Sequence, residues 1–175
     1  MMKRVIFVML ILVGLVGCTA VSPQPAINEA DVYTAVIRQI YTVDDTFGGT
    51  LQPPLVYIII QTDDSVGDPD IEQKPSQLID AASQEDIVSG LADLPAKWVW
   101  VNGRDEVPIS PDTGRVEDEG VIITLGNVHP QDDGTVFVSG SIYVGMLAAG
   151  GQTYILEQTD SGWAVTGSTG VQWMS

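Results

Sequence analysis

Five carboxylates crowd one short stretch of the chain: Asp63, Asp64, Asp68, Asp70 and Glu72. A loop broken by Gly67, Pro69 and Pro75 can fold such side chains inward, and calcium is the ion that collects several hard oxygen ligands at once. Asp68, Asp70 and Glu72 stand at alternate positions, as at the start of an EF-hand loop. The sixth position is then Gln73 where a glycine is needed, and the twelfth is Ile79 where a glutamate would close the shell. The competing reading is a solvated acidic loop. Glu117, Asp118 and Glu119 form a second acidic group open to the same two readings.

Acid–base and nucleophilic chemistry have few residues to work with. His129 is the sole histidine and precedes Pro130, where a turn between two strands is expected. No G-x-S-x-G elbow is present, and the nearest serines, Ser139 and Ser141, fall on an expected strand. A structural zinc site needs four nitrogen or sulfur ligands, and the chain offers one histidine and one cysteine. Asp44 and Asp45 follow the first expected helix. A carboxylate there, beside a tyrosine donor in an apolar cavity, would have its pKa raised by desolvation and would serve as a base. Tyr33, Tyr41, Tyr57, Trp98, Trp100 and Tyr143 are available to line such a cavity, and they are equally what a core of this size requires. The glycines of 167–175 lack the lysine that a phosphate-binding loop needs, so a final strand or tail pinned by Trp173 is expected there.

Cys18 is the only cysteine. Lys3 and Arg4 form a positive start, and the apolar stretch 5–16 is shorter than the roughly 20 residues of a membrane span, which suits a signal peptide. The run Leu15, Val16, Gly17, Cys18 resembles the lipobox of bacterial lipoproteins. That resemblance implies diacylglycerol on the Cys18 thiol, cleavage between Gly17 and Cys18, and acylation of the new amine as a further option. Thr19 stands where an aspartate would retain such a protein at an inner membrane, so the resemblance leaves outer-membrane sorting open. An ordinary secretory peptide and an uncleaved anchor are the alternatives. The expected organisation is a signal peptide over 1–17, a lipidated cysteine and tether over 18–28, and a single α+β domain over 29–175.

Loss of residues 1–17 takes the 175-residue chain to 158, enough for one well-buried domain. Loss of Lys3 and Arg4 takes the 7 basic residues to 5 against 23 acidic ones, a net charge of −18. Arg38, Lys74, Lys97, Arg104 and Arg115 form no basic run, so nucleic acid is excluded as an expected partner. An anionic bilayer surface should also repel the domain, leaving the lipid anchor as its link to a membrane. With Cys18 committed to lipid, no intramolecular disulfide remains and a packed apolar core must hold the fold.

The elements that must position these residues follow from periodicity. Val32, Ala35, Val36, Ile40 and Val43 recur at helical spacing, with Asn28 as N-cap, and predict a helix over 29–42. The β-branched run 55–61 predicts a strand covered on both faces. Ser83 followed by Asp86 predicts the start of a second helix with Ile87, Val88, Leu91 and Leu94 as its stripe, stopped by Pro95; a short helix over 77–82 is an option before it. Residues 97–102 read as a strand and 105–120 as loop. Strands follow over 121–128, 135–147, 152–158 and 163–168, with turns at Asp133–Gly134, at Gly150 with Gly151, and at 160–162. Gly140 and Gly145 are expected at a bend or bulge.

Helices early and a four-strand antiparallel meander late predict an α+β domain with its helices on one face of the sheet. The order helix, strand, helix, strand, then hairpins resembles the cystatin-like cone of nuclear-transport-factor-like (NTF2-like) and SnoaL-like domains. The resemblance implies a curved, mainly antiparallel sheet wrapping the helices, with a pocket used by some members for catalysis and by others only for binding. Three functions are carried forward: a lipid-anchored cell-envelope binding or interaction module for a protein or small-molecule ligand; a small-molecule enzyme of SnoaL-like or ketosteroid-isomerase-like type; and an envelope calcium-binding protein. No cofactor is expected.

Overall fold

Asn28 opens the first helix as the sequence predicts, its side chain accepting a hydrogen bond from Ala30 N at 3.1 Å, in a computed structural model that describes residues 26–44 and 51–175. Glu29 and Asp31 in the first turn of α1 (Glu29–Thr42) complement the helix dipole. Its buried face is Val32, Tyr33, Val36, Ile37, Ile40 and Tyr41. Ala35 is only half-buried and Val43 is exposed, so the stripe is rotated toward the two tyrosines relative to the expected one. Aromatic rings reach the sheet from positions that aliphatic periodicity alone places at the flank.

Among the described residues, one sheet of seven strands faces α1, running from 97–101 through 55–59, 121–125, 136–145 and 148–159 to 162–174, with the short strand 129–130 paired to 136–145. β1 (Leu55–Ile59) lies parallel to β2 (Lys97–Val101) and to β3 (Val121–Leu125). Val56 and Ile58 are fully buried on the α1 side. On the other side Tyr57 and Ile59 pack with Val99, Val107, Val116 and Ile122. The segment 105–120 is thus irregular but not idle: it supplies the apolar cover that makes a continuously hydrophobic β1 possible.

α2 (Ala81–Gly90) begins earlier than Ser83 implies. Asp80 is the N-cap, its Oδ1 accepting from Ala82 N at 2.9 Å and Ser83 N at 3.0 Å, while the Ser83 hydroxyl donates to Asp80 Oδ2. A carboxylate at the right place outcompetes the hydroxyl, and the two alanines before Ser83 propagate the helix. No short helix precedes it, because Leu78 bridges to Gln61 and Ile79 N donates to Ile60 O, which holds 77–80 extended. α2 ends at Gly90, before Pro95. Arg38 on α1 ties this end down, donating to Gly90 O at 2.6 Å and to both Asp93 oxygens at 2.7 and 2.8 Å.

The meander is β3, β5 (Val136–Gly145), β6 (Ala148–Thr159) and β7 (Gly162–Met174), all antiparallel, with β4 (His129–Pro130) bonded to the start of β5. The predicted α+β class is the one observed: among the described residues, two α-helices and a curved, mixed but mainly antiparallel sheet, consistent with the NTF2-like fold. Two glycine assignments change. The β5–β6 turn is at Met146 and Leu147; Gly150 and Gly151 are inside β6, paired to Ile142 and Ser141. Gly151 is small because a Cβ there would lie 2.2 Å from Val66 O, where a 3-10 turn crosses the sheet. Gly145 does sit at the register shift, but Gly140 stays in register. Its missing side chain admits the helix: a Cβ would meet Tyr154 Cε2 at 2.9 Å, Ile40 Cδ1 at 3.2 Å and Val36 Cγ1 at 3.3 Å. β7 runs further than predicted, to Met174, and Trp173 pins it by donating from Nε1 to Val66 O at 2.9 Å.

Candidate functional site

Asp64 is the best-connected polar side chain in the interior. It starts the 3-10 turn Asp64–Val66 after β1, and Asp63 caps that turn by accepting from Ser65 N at 2.9 Å. Asp64 is 3% exposed. Its Oδ1 accepts from Asn127 N at 2.7 Å; its Oδ2 accepts from Asn127 Nδ2 at 2.9 Å, Lys74 N at 2.9 Å and His129 Nε2 at 3.0 Å. Gly126 leaves room for it, since a Cβ there would lie 2.7 Å from Oδ1. Burial alone would raise the Asp64 pKa, but the hydrogen bonds from Asn127, Lys74 and His129 outweigh it and hold the carboxyl below the usual carboxylate range. Thr62 extends the network, donating to Asn127 Oδ1 at 2.8 Å and accepting from Gln77 N at 2.8 Å. Loop 62–77 is thereby pinned to the connection after β3.

His129 is therefore not a turn residue. It is buried on β4, opposite Phe137, and Pro130 is tolerated because β4 is only two residues long. Among the described residues no nucleophile is hydrogen-bonded to it: the buried Ser139 hydroxyl pairs instead with Thr153 Oγ1 at 3.0 Å. A carboxylate that is held ionised and already accepts four hydrogen bonds is a poor proton acceptor, so this cluster acts as a structural pin.

The rest of the acidic loop diverges. Asp68 is buried, its Oδ1 accepting from Asp70 N at 2.9 Å and its own N–H donating to Thr153 Oγ1 at 2.9 Å. Asp70 and Glu72 line a shallow surface cleft of about 390 Å³ with Lys74 and His129. Among the described residues, no three His, Cys, Asp or Glu side chains converge on a common point for an ion. The alternate spacing of 68, 70 and 72 is explained in part by a local turn in which Asp68 caps Asp70. Glu117, Asp118 and Glu119 form an exposed turn, with Gly120 N donating to Glu117 O at 2.9 Å and φ of 54° and 55° at Asp118 and Glu119.

The second constellation lies at the C-terminal end of α1. Asp44 Oδ1 accepts from Gln39 Nε2 at 3.0 Å, and Oδ2 accepts from the Tyr154 hydroxyl and, at 3.4 Å, from Gln152 Nε2. Gln39, Gln152 and Tyr154 also line an open cleft of about 400 Å³ between α1 and β6–β7, with Val165 and Ser168 on its far wall. Burial, then the Asp44 charge, push the Tyr154 hydroxyl well above the usual tyrosine range. Asp44 and a tyrosine thus meet, as the base-and-donor reading requires, but the tyrosine is Tyr154 on β6 and not Tyr33, Tyr41, Tyr57 or Tyr143. Its signal was present: Gln152 and Tyr154 alternate and so share a face. Asp45 and Cys18 lie outside the described residues.

The other aromatic candidates do not line one pocket. Tyr33 and Tyr41 are core residues, and Tyr41 packs on Trp98 at 5.5 Å between ring centres. Tyr57 and Tyr143 belong to the opposite face of the sheet, where the Arg104 guanidinium sits 3.7 Å above the Tyr143 ring. Trp98 and Trp100 flank α1 and α2 from the edge strand β2, each with a buried indole N–H that finds no hydrogen-bond partner among the described residues. No protein-family model matches the chain, and neither the curated proteins nor the solved structures yield a match.

Proposed function

We propose that this protein is a lipid-anchored lipoprotein of the cell envelope whose folded domain is a binding module. The observation that carries the reading is the filled space between α1 and the sheet. Val32, Val36, Ile37, Val138 and Leu156 are fully buried there, and Gly140 lets the helix approach further still. Such packing leaves ligand contact to the surface clefts and strand edges. The anchoring half of the proposal rests on the 15–18 tetrapeptide and its flanks. A helix capped at Asn28 then gives a tether of about ten residues from Cys18, a reach of roughly 33 Å when extended.

One observation favours a second reading, an enzyme acting on a small molecule: Asp44 beside Tyr154 at a cleft. In that reading Asp44 is the base and Tyr154 the donor. Asp44 already accepts from three donors and stands beside a cleft open to solvent, not in a closed apolar pocket, which is why binding is placed first. The calcium reading is third, carried by the acidic loop alone.

Native mass spectrometry of the lipoprotein extracted from its membrane in detergent, without chelator, tests all three. The expected mass is a chain beginning at Cys18, carrying diacylglycerol and no stoichiometric small-molecule or calcium adduct. A bound metabolite would move the enzyme reading ahead, a calcium-sized increment the third, and an unacylated chain beginning at Met1 would refute the anchor.

A further inference from the structure

β7 is the free edge of the sheet and an unusual one for this chain. Its thirteen residues, Gly162–Met174, carry no charge and no proline, in a protein with 23 acidic residues. Natural edges are blunted by charges, prolines, short length or bulges. The opposite edge, β2, has five residues and opens with Lys97. β7 carries two irregular steps, one between Val165 and Gly167 and one between Ser168 and Gln172, with Gly170 at φ 87°; the first bends the edge at Thr166, beside the α1–β7 cleft, and leaves 162–165 and 167–168 paired to β6 on either side of it. Among the described residues, no main-chain group of β7 is bonded to a strand other than β6.

The α1–β7 cleft lies beside this segment. Thr166 and Ser168 form its outer wall, Gln39 and Gln152 its inner one, and Asp44 is held at its margin by Gln39, Gln152 and Tyr154. Among the described residues, neither lysine nor arginine lines it. A strand added to β7 would lie about 4.8 Å away and send every second side chain to the α1 side, toward the cleft. Main-chain pairing supplies affinity in this mode and the pocket supplies selectivity.

We propose that the 162–168 edge of β7 accepts an extended peptide segment of a partner protein as an added strand, with a lysine or arginine side chain seated in the cleft toward Asp44. The proposal rests on the binding-module reading and names its partner. Charge decides the occupant: a strongly acidic domain with a carboxylate at the cleft attracts a basic segment. A second copy offers no basic residue from its own β7 and brings the same net negative charge.

The test selects random peptides of about seven residues, the length of that edge segment, on the full lipoprotein in detergent micelles. Enriched sequences should carry Lys or Arg at one position, with β-branched residues alternating around it. Titration of the best peptide should show binding about tenfold weaker with Asp44→Asn and with Ser168→Lys, which places a competing ammonium at the exposed cleft wall. Main-chain N-methylation at the pairing positions should abolish it. Three results would overturn the proposal: no basic enrichment, peptides indifferent to both substitutions and to N-methylation, or a dimer by light scattering that Ser168→Lys dissociates. The last would give the edge to a second copy. Such failures leave the binding-module reading to its own tests, since a partner gripping another surface would remove this proposal alone.

Discussion

Asp64 is stabilised as an anion by four hydrogen bonds, and that fixes how the domain should respond to acid. Its folded-state pKa is depressed below the ordinary value of about 4, so its contribution is present above that value and is lost as pH falls through the folded pKa. Denaturant unfolding followed by tryptophan fluorescence should therefore show stability dropping below about pH 4. Asp64→Asn should cost about 2 kcal/mol at neutral pH and flatten that drop, because an amide cannot accept all four donors. An unchanged acid limb in the variant would contradict the pin. Asp64 was legible as a conspicuous carboxylate and its role was not. Its partners Asn127 and His129 are about sixty residues away, and a contact between two loops leaves no periodicity to read. Asp44 was legible as a helix-end carboxylate, whereas Tyr154 became its partner only once α1 was seen to cross β6.

At the scale of elements, periodicity located both helices and the four-strand meander, because one-sided burial imposes a period wherever it acts. Ends and glycines depended on neighbours. Asp80 rather than Ser83 caps α2, so Asp80→Ala should lower stability by about 1 kcal/mol while Ser83→Ala changes it by a few tenths, a difference that paired urea titrations resolve. Equal effects would return the cap to Ser83. Gly140 was expected to bend β5, and it instead clears space for α1. Gly140→Ala should cost about 1–3 kcal/mol, read from the same titration, since Ile40, Val36 and Tyr154 must all give way. A neutral Gly140→Ala would mean that α1 sits looser on the sheet than described. Gly150 and Gly151 looked like a turn because paired glycines usually are one. The close approach of Val66 O, made by a segment from much earlier in the chain, is the reason they are not.

For the whole molecule, composition limits the partners and the fold places the surfaces. The start of α1 lies near the β6–β7 turn, where Asp31 and Thr34 share a surface cleft with Gly162 and Trp163, so a tether from Cys18 would enter there. The 162–168 edge begins at that same end and runs away from it. In this account acyl chains hold the domain at a membrane while its acidity keeps the surface from adhering to anionic lipid. Replacing Cys18 with serine should release the protein from the membrane fraction, and a Cys18→Ser chain that still sediments with membranes would contradict the anchor. The central claim, that this is an anchored module that grips another protein along the 162–168 edge, is tested most directly by photo-crosslinking in living cells. A photoreactive residue is placed at Gly167, where an added side chain meets no atom within 4 Å, and a control is placed on the exposed turn at Asp118. The account predicts a discrete protein adduct from position 167, absent from position 118 and lost in the Cys18→Ser chain. No adduct from 167 under conditions where the lipidated protein is abundant would contradict it.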